Sequence, residues 1–372
     1  MYKRQYTDSN GKGLFKYAPP TGFLALCEDN LPTPAIANPG DHFKTVLWTG
    51  DGNSGRSIVG VGFTPDFVWF KQRTGSGFYH QLYDSVRGPA KVLFSNDNLQ
   101  EYARTNGLTS FDSDGFSLGN HSQTNASGQP YVAWCWKAGA GTTSTNTDGS
   151  INSVVSVNQD AGFSVVSYTG TGANATVGHG LAKKPYFVIV KKRTNSDNWM
   201  IWHNSFADGN SFARLNTTGA EDSNSSVWNS TVPTDSVISI GTNSVVNQTA
   251  SYISYCWTEI EGYSKFGSYV GNGNADGPFV YCGFKPAFIL LKPSSYSSNW
   301  IIADSSRSSI NGNTKWLYPD LSYFEEDGAG RYIDLLSNGF KIRNSGSGTN
   351  TSGGTIIFAA FAESPFKTAN AK

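Results

Sequence analysis

Pro65-Asp-Phe-Val-Trp-Phe-Lys71 returns as Pro185-Tyr-Phe-Val-Ile-Val-Lys191 and again as Pro286-Ala-Phe-Ile-Leu-Leu-Lys292. Each copy is a proline followed by aromatic and β-branched residues, the chemistry of a strand that starts where no ladder donor is needed. Phe67, Phe187 and Phe288 lie 120 and 101 residues apart, and three other landmarks keep nearly the same offsets. Upstream stand Trp48-Thr-Gly-Asp-Gly52, Tyr168-Thr-Gly-Thr-Gly172 and Tyr269-Val-Gly-Asn-Gly273. Downstream come Leu82-Tyr-Asp84, Ile201-Trp-His203 and Ile302-Ala-Asp304. Each series closes on an apolar strand, Tyr131-Val-Ala-Trp-Cys-Trp136, Tyr252-Ile-Ser-Tyr-Cys-Trp257 and Ile356-Ile-Phe-Ala-Ala-Phe361. Ordered landmarks at fixed offsets mean one structural unit present three times.

The units are strand-built. Phe163-Ser-Val-Val-Ser-Tyr-Thr169 reads as a strand, while Asp114-Gly115 and Asn338-Gly339 supply tight turns that need positive φ. Nothing longer than a turn shows apolar residues at helical spacing. The expected fold is therefore all-β: three tandem antiparallel β-sandwich repeats of jelly-roll or concanavalin-like type, behind an extended N-terminal segment. The boundaries are an extended segment 1–41, repeat 1 over 42–138, a Gly/Thr/Ser-rich linker 139–150, repeat 2 over 151–260, repeat 3 over 261–366 and a tail 367–372. Stacked end to end, three such units make an extended rod, with the linker flexible or hugging the surface.

Composition narrows the function classes. Lys+Arg and Asp+Glu each total 28, so the formal net charge is zero, and charged residues are only 15% of the chain. That balance argues against a nucleic-acid binder or a polybasic membrane-surface protein. Aromatic residues at 14% argue against disorder. The chain opens without an apolar signal core, and its longest apolar run, Ile356 to Ala362, is too short to span a membrane as a helix. Cys27, Cys135, Cys256 and Cys282 form no zinc spacing and no disulfide framework, which suits synthesis in a reducing cytosol and release by lysis.

Phe15 to Phe43, including Tyr17-Ala-Pro-Pro-Thr-Gly-Phe-Leu-Ala-Leu-Cys27 and Asn30-Leu-Pro32, resembles the junction that follows a SPRY-like (concanavalin-type) domain in structural proteins of marine tailed phages. Ala161-Gly-Phe-Ser-Val-Val-Ser-Tyr-Thr-Gly-Thr-Gly172 with Val177-Gly-His-Gly-Leu181 resembles the repeat modules of those proteins, as does Ser113-Asp-Gly-Phe-Ser-Leu-Gly119. The segment from Gly267 to Phe366 is similar to their closing module. The resemblance covers the chain from about residue 15 and makes the first 41 residues the tail of a SPRY-like domain that is missing here. It implies a virion structural or adhesive protein, in a tail fibre, host-attachment appendage or capsid decoration, exposed on the virion surface. It also implies self-association, a homotrimer above all, together with other virion proteins and a host surface glycan as partners. It carries no catalytic residues, no cofactor and no metal.

The residues themselves leave few candidate sites. Asp84-Ser-Val-Arg87 and Asp304-Ser-Ser-Arg307 share a spacing that the second unit breaks with His203-Asn-Ser-Phe206, and they read as strand-end surface ion pairs of small worth. Asp112-Ser-Asp114 reads as a turn and not a calcium loop. No pair among His42, His80, His121, His179 and His203 falls at metal spacing. Glu325-Glu326-Asp327, the one dense acidic cluster, reads as a solvated loop and not as half of a glycosidase pair. Trp316, Tyr318, Tyr323 and Phe324 are the candidate contact residues, in the segment where the three units differ most. Subunit packing, core and glycan stacking are all open to them. The expectation is a non-enzymatic protein, with a surface lectin as the alternative.

Overall fold

The computed structural model describes residues 5–31, 33–75, 77–308, 311–328 and 330–369. Pro32, the first four residues and positions 370–372 of the tail lie outside them. The chain is all-β with several antiparallel sheets, and its two α-helices among the described residues, Ser122–Asn125 and Ser225–Trp228, are single turns. No helix among those residues is long and apolar enough to cross a membrane.

Three large sheets repeat one pairing order. In the first lobe, Phe43–Thr49 pairs with the closing strand Pro130–Trp136, which pairs with Phe67–Gln72, then Gln81–Asp84 and Lys91–Phe94. The second lobe runs Phe163–Thr169, Ser251–Trp257, Phe187–Lys192, Met200–His203 and Ser211–Arg214. The third runs Ser264–Val270, Thr355–Pro365, Phe284–Pro293 and Ile301–Asp304. Register makes positions equivalent across lobes. Phe67 lies opposite Trp136 and Asp84, Phe187 opposite Trp257 and His203, and Phe288 opposite Phe361 and Asp304. A small sheet backs each large one: Arg56–Val59 with Gly115–Leu118 and Leu108–Asp112, Ala175–Gly178 with Val237–Ile240, and Phe279–Tyr281 with Gly339–Ile342 and Ile333–Leu336.

The lobes do not stack as a rod. Side chains alternate across a strand, so one face of each landmark strand fills its own lobe and the other face meets the other lobes. Val68 and Phe70 pack inside the first lobe, Val188 and Val190 inside the second, and Ile289 and Leu291 inside the third. Phe67 and Trp69, Phe187 and Ile189, and Phe288 and Leu290 enter one shared core instead. There Phe67 stacks on Tyr255 at 4.3 Å, Phe43 on Phe361 at 5.3 Å, and Phe187 on Phe266 at 6.1 Å, one contact for each pair of lobes. A sheet buried on both faces gains apolar burial that an end-to-end stack would leave in water. That is why the rod expected from the sequence gives way to three lobes around a common aromatic centre.

The Gly-x-Gly turns are shaped by close approach. A Cβ on Gly50, Gly170 or Gly271 would come within 2.1, 2.4 or 2.3 Å of the carbonyl oxygen of Ala126, Gln248 or Thr351. The buried side-chain oxygens of Asn125, Asn247 and Asn350 accept the next N–H, from Asp51, Thr171 and Asn272, at 3.0, 2.7 and 2.8 Å.

The stretch 139–150 begins with backbone held by the buried Asp66 carboxylate. Asp66 accepts N–H bonds from Ala138, Ala140 and Gly141 at 2.7, 2.7 and 2.8 Å, and hydroxyl bonds from Ser85 and Ser156. Ser144–Asn146 then pairs with Ser153–Asn158 at the sheet edge. Removing Asp66 strands three N–H donors, so Asp66→Ala is expected to cost about 2–3 kcal/mol in urea unfolding. A loss below about 0.5 kcal/mol would show that water replaces it.

Most large apolar side chains between residues 5 and 31 stay off the lobes. Asp8 gathers the N–H groups of Asn10, Lys12 and Ala25, and Ile36 reaches the shared core, but Leu14, Tyr17, Phe23 and Leu26 stay exposed.

Candidate functional site

The polar chemistry of this chain concentrates where lobes meet. Asp84 Oδ1 accepts the N–H of Arg87 at 2.8 Å, while Oδ2 takes Arg87 Nε and, at 2.7 Å, the hydroxyl of Tyr255 from the second lobe. Arg87 continues to Glu101 at 3.3 Å, and Glu101 is gripped by Arg193 of the second lobe through Nε and Nη2 at 2.9 and 3.1 Å. The third and first lobes repeat the pattern. Asp304 accepts from Arg307 and, at 3.0 Å, from Trp134 Nε1, and Arg307 continues to Glu325 at 3.1 Å. Glu325 is gripped by Arg73 at 2.9 and 2.7 Å. The side chains of Asp84, Arg87, Asp304 and Arg307 are fully buried. The sequence expectation of weak surface ion pairs is corrected here, because the partner lobe covers both. Glu325 likewise leaves the solvated loop assigned to it. Burial works to raise Glu101 and Glu325, but their arginine partners outweigh it and hold both carboxyls below the usual range.

The second and third lobes meet differently. Tyr255 and Trp134 occupy one register position, opposite Ile189 and Trp69, and the third lobe has Ala359 there, opposite Leu290. Facing it, His203 stands in the place of Asp84 and Asp304, Phe206 in that of Arg87 and Arg307, and Ser294 in that of Arg73 and Arg193. Without a donor at 359 or a cation at 206, a carboxylate at 203 would be buried unpaired, at a cost of several kcal/mol. A neutral imidazole resolves this. His203 Nε2 donates to the Phe358 carbonyl at 3.1 Å and Nδ1 accepts the N–H of Ser205 at 3.0 Å. One backbone bond survives at every seam: Glu101, Glu221 and Glu325 donate their N–H to the carbonyls of Arg193, Ser294 and Arg73 at 2.9, 2.8 and 2.8 Å. The seams thus run first to second, second to third and third to first, closing a ring.

Burial pulls His203 down to about 4. The unfolded chain binds this proton near 6.5, so between 6.5 and 4 the unfolded state holds more protons and stability falls as pH falls. Urea midpoints measured at pH 7 and pH 4.5 are expected to differ less in His203→Gln than in the parent. An equal difference would show that His203 does not titrate in this window.

Of the four aromatic candidates, the structure withdraws two. Trp316 and Tyr318 are buried in the third lobe's core, the Tyr318 hydroxyl donating to Glu326, so neither ring is open to a ligand. Tyr323 and Phe324 are 52% and 42% exposed, with ring centroids 5.9 Å apart. Phe324 joins Arg73, Thr74, Gly75, Pro130 and Glu325 around a shallow depression of about 420 Å³ at the seam of the third and first lobes.

A sequence family described as a domain of unknown function (DUF7483) matches residues 38–365, from the start of the first lobe to the last strand of the third. The chain belongs to the DUF7483 family. No curated protein matches it.

Inside the DUF7483 domain three cysteines and three of the five histidines are buried, while His42 and His121 are half-buried. Cys135, Cys256 and Cys282 are buried, and burial pushes the last two thiols up to about 12. His80 and His179 are buried and held below the ordinary imidazole range by desolvation. Asp112 accepts from Ser110 and Ser117, and Asp114 from the N–H groups of Gly60 and Gly62, so both serve turns. Among the described residues no three His, Cys, Asp or Glu side chains gather as metal ligands.

Two further sets of equivalent side chains escaped the sequence reading. Lys191 and Lys292 are buried, and each ammonium donates to a carbonyl of the preceding lobe, Asn98 at 3.2 Å and Thr218 at 2.8 Å. Lys71 stands in the same place with no hydrogen-bond partner among the described residues, and burial draws it down to about 7. Asn96, Asn216 and Asp320 accept the N–H of His80, Trp199 and Trp300 at 2.8, 3.0 and 3.1 Å. The lysines had ended all three landmark strands in the sequence, which was the available signal.

Proposed function

We propose that this chain is a non-enzymatic structural and adhesive protein of a virion, displayed in a tail fibre or a similar attachment appendage, with capsid decoration as the variant placement. Its three lobes are taken as copies of one jelly-roll-like sandwich unit, since the large sheets share pairing order and register. The observation that carries the reading is the ring of inter-lobe seams. The acids at two of the seams, Asp84 with Glu101 and Asp304 with Glu325, are paired with arginines, and Arg193 and Arg73 come from the neighbouring lobe. A body closed in this way resists shear and proteolysis and leaves its loops free for contact. The resemblance to phage structural modules supports the virion setting, with synthesis in the host cytoplasm and release by lysis.

Antibody raised against the purified chain is expected to label intact particles at an appendage, and particles without label would overturn the reading. Sedimentation separates two routes to threefold order. A particle of 40.1 kDa means that one chain forms the threefold body alone, whereas three times that mass means the homotrimer that the resemblance implies. A surface lectin is the second reading, favoured by the exposed Tyr323–Phe324 pair. Reducing-sugar release from host polysaccharide would overturn the non-enzymatic assignment.

A further inference from the structure

The third lobe carries a groove beside its small sheet. It is about 680 Å³ in volume, within the range of small-molecule sites, and is walled by Asp276, Asn311, Gly312, Tyr332, Asp334 and Arg343. Tyr332 is 39% exposed, and its backbone is held at the carbonyl. Its carbonyl accepts the N–H of Arg343 at 2.8 Å and the Asn344 amide at 3.1 Å. Gly312 turns at φ +80° beside the Tyr332 ring, where a Cβ would touch the ring edge at 3.5 Å. Asp334 stands on the strand Ile333–Leu336, and Arg343 directly follows the paired strand Gly339–Ile342, so the polar groups are set by a ladder and not by a loose loop.

Asp334 and Arg343 face each other as a long ion pair. Asp334 Oδ1 accepts the Gly312 N–H at 2.9 Å, but Oδ2 lies 3.7 Å from Arg343 Nε, too far for a hydrogen bond. Lys341 is bound to Asp276 at 2.9 Å and to the Gly277 carbonyl at 2.9 Å, so it offers little free charge. The fold does not require this set. By the ladder pairing, Asp334 opposite Lys341 corresponds to Ser110 opposite Ser117 in the first lobe, and Arg343 to Gly119. A half-exposed phenol ring flanked by planar carboxylate and guanidinium groups matches a sugar ring, whose C–H face stacks while adjacent hydroxyls take paired hydrogen bonds. With Asp276 paired to Lys341 and Asp334 facing Arg343, these four side chains carry no net charge, which suits a neutral sugar better than an anionic one.

We propose that the Tyr332–Asp334–Arg343 groove is a subsite for one neutral pyranose residue with adjacent free hydroxyls, an assignment that rests on the adhesive reading above. The experiment is saturation-transfer NMR on the intact chain with glucose, galactose, N-acetylglucosamine and N-acetylneuraminic acid as probes. Transfer is expected to at least one neutral sugar and not to the acidic one. Tyr332→Ala should weaken that binding tenfold or more and Asp334→Asn threefold or more, with unchanged thermal midpoints, while Phe324→Ala leaves it intact. No transfer to any neutral sugar, preference for the acidic probe, or indifference to Tyr332→Ala would overturn the subsite. Host-cell attachment of the parent chain judges the adhesive reading separately. Attachment that survives Tyr332→Ala overturns the subsite alone, whereas a parent chain that does not attach overturns the adhesive reading.

Discussion

Arg87→Met is expected to lower the unfolding free energy by about 3–5 kcal/mol, the largest loss foreseen for a single side chain here. Arg87 is enclosed and donates to Asp84, Glu101 and the carbonyls of Leu82 and Lys91. Methionine fills the stem's volume but leaves Asp84 with Tyr255 and its own turn, an incompletely compensated buried charge. The attraction lost is only part of the cost, because the stranded carboxylate also keeps its desolvation penalty. Removing both charges, Asp84→Leu with Arg87→Met, should therefore recover most of the loss, a non-additive outcome. The second-to-third seam supports this logic, since there the acid, the arginine and the aromatic donor are all replaced together. Urea unfolding of the two variants checks it. A single-variant loss under about 1 kcal/mol would mean that water enters the seam and that the network is not sealed.

The all-β character was legible because strand landmarks carry local signals: proline, then a run of large apolar residues, then a turn. The ring was less legible, although its trace is present. Phe67-Val-Trp-Phe70 is apolar at every position, whereas a sandwich strand with one wet face alternates apolar and polar. That continuity meant a second buried face. The Asp-x-x-Arg spacing was visible too, but its worth depends on Glu101, Arg193 and Tyr255, which only the docking of lobes brings near. No spacing rule reaches from Asp84 to Tyr255. Nothing in the local pattern marks Asn125 or Asn247, yet each asparagine pins a Gly-x-Gly turn. Trp316 and Tyr318 could not be told from Tyr323 and Phe324, because short irregular strands give no periodicity to separate core from surface.

Asp320→Asn is expected to stabilise the protein by roughly 3 kcal/mol at pH 8 and by little near pH 4. The equivalent positions are Asn96 and Asn216, and all three side chains accept one backbone N–H. Asn216 also donates its amide to Asn198 at 2.9 Å, whereas Asp320 Oδ2 has no hydrogen-bond partner among the described residues. Burial raises the Asp320 carboxyl to about 7, although Lys292 nearby works the other way. An unfolded aspartate releases its proton near 3.9, so between 4 and 7 the folded state holds more protons than the unfolded state. Stability must then fall as pH rises through that window, and the penalty is complete above 7. Asparagine carries no charge to bury and keeps the acceptor for the Trp300 N–H. The gain should accordingly be absent in acid and grow toward pH 8, a slope opposite to that of His203. Thermal or urea midpoints for parent and variant at pH 4, 6 and 8 test it. A pH-independent difference would mean that Asp320 is ionised throughout and that solvent reaches its second oxygen.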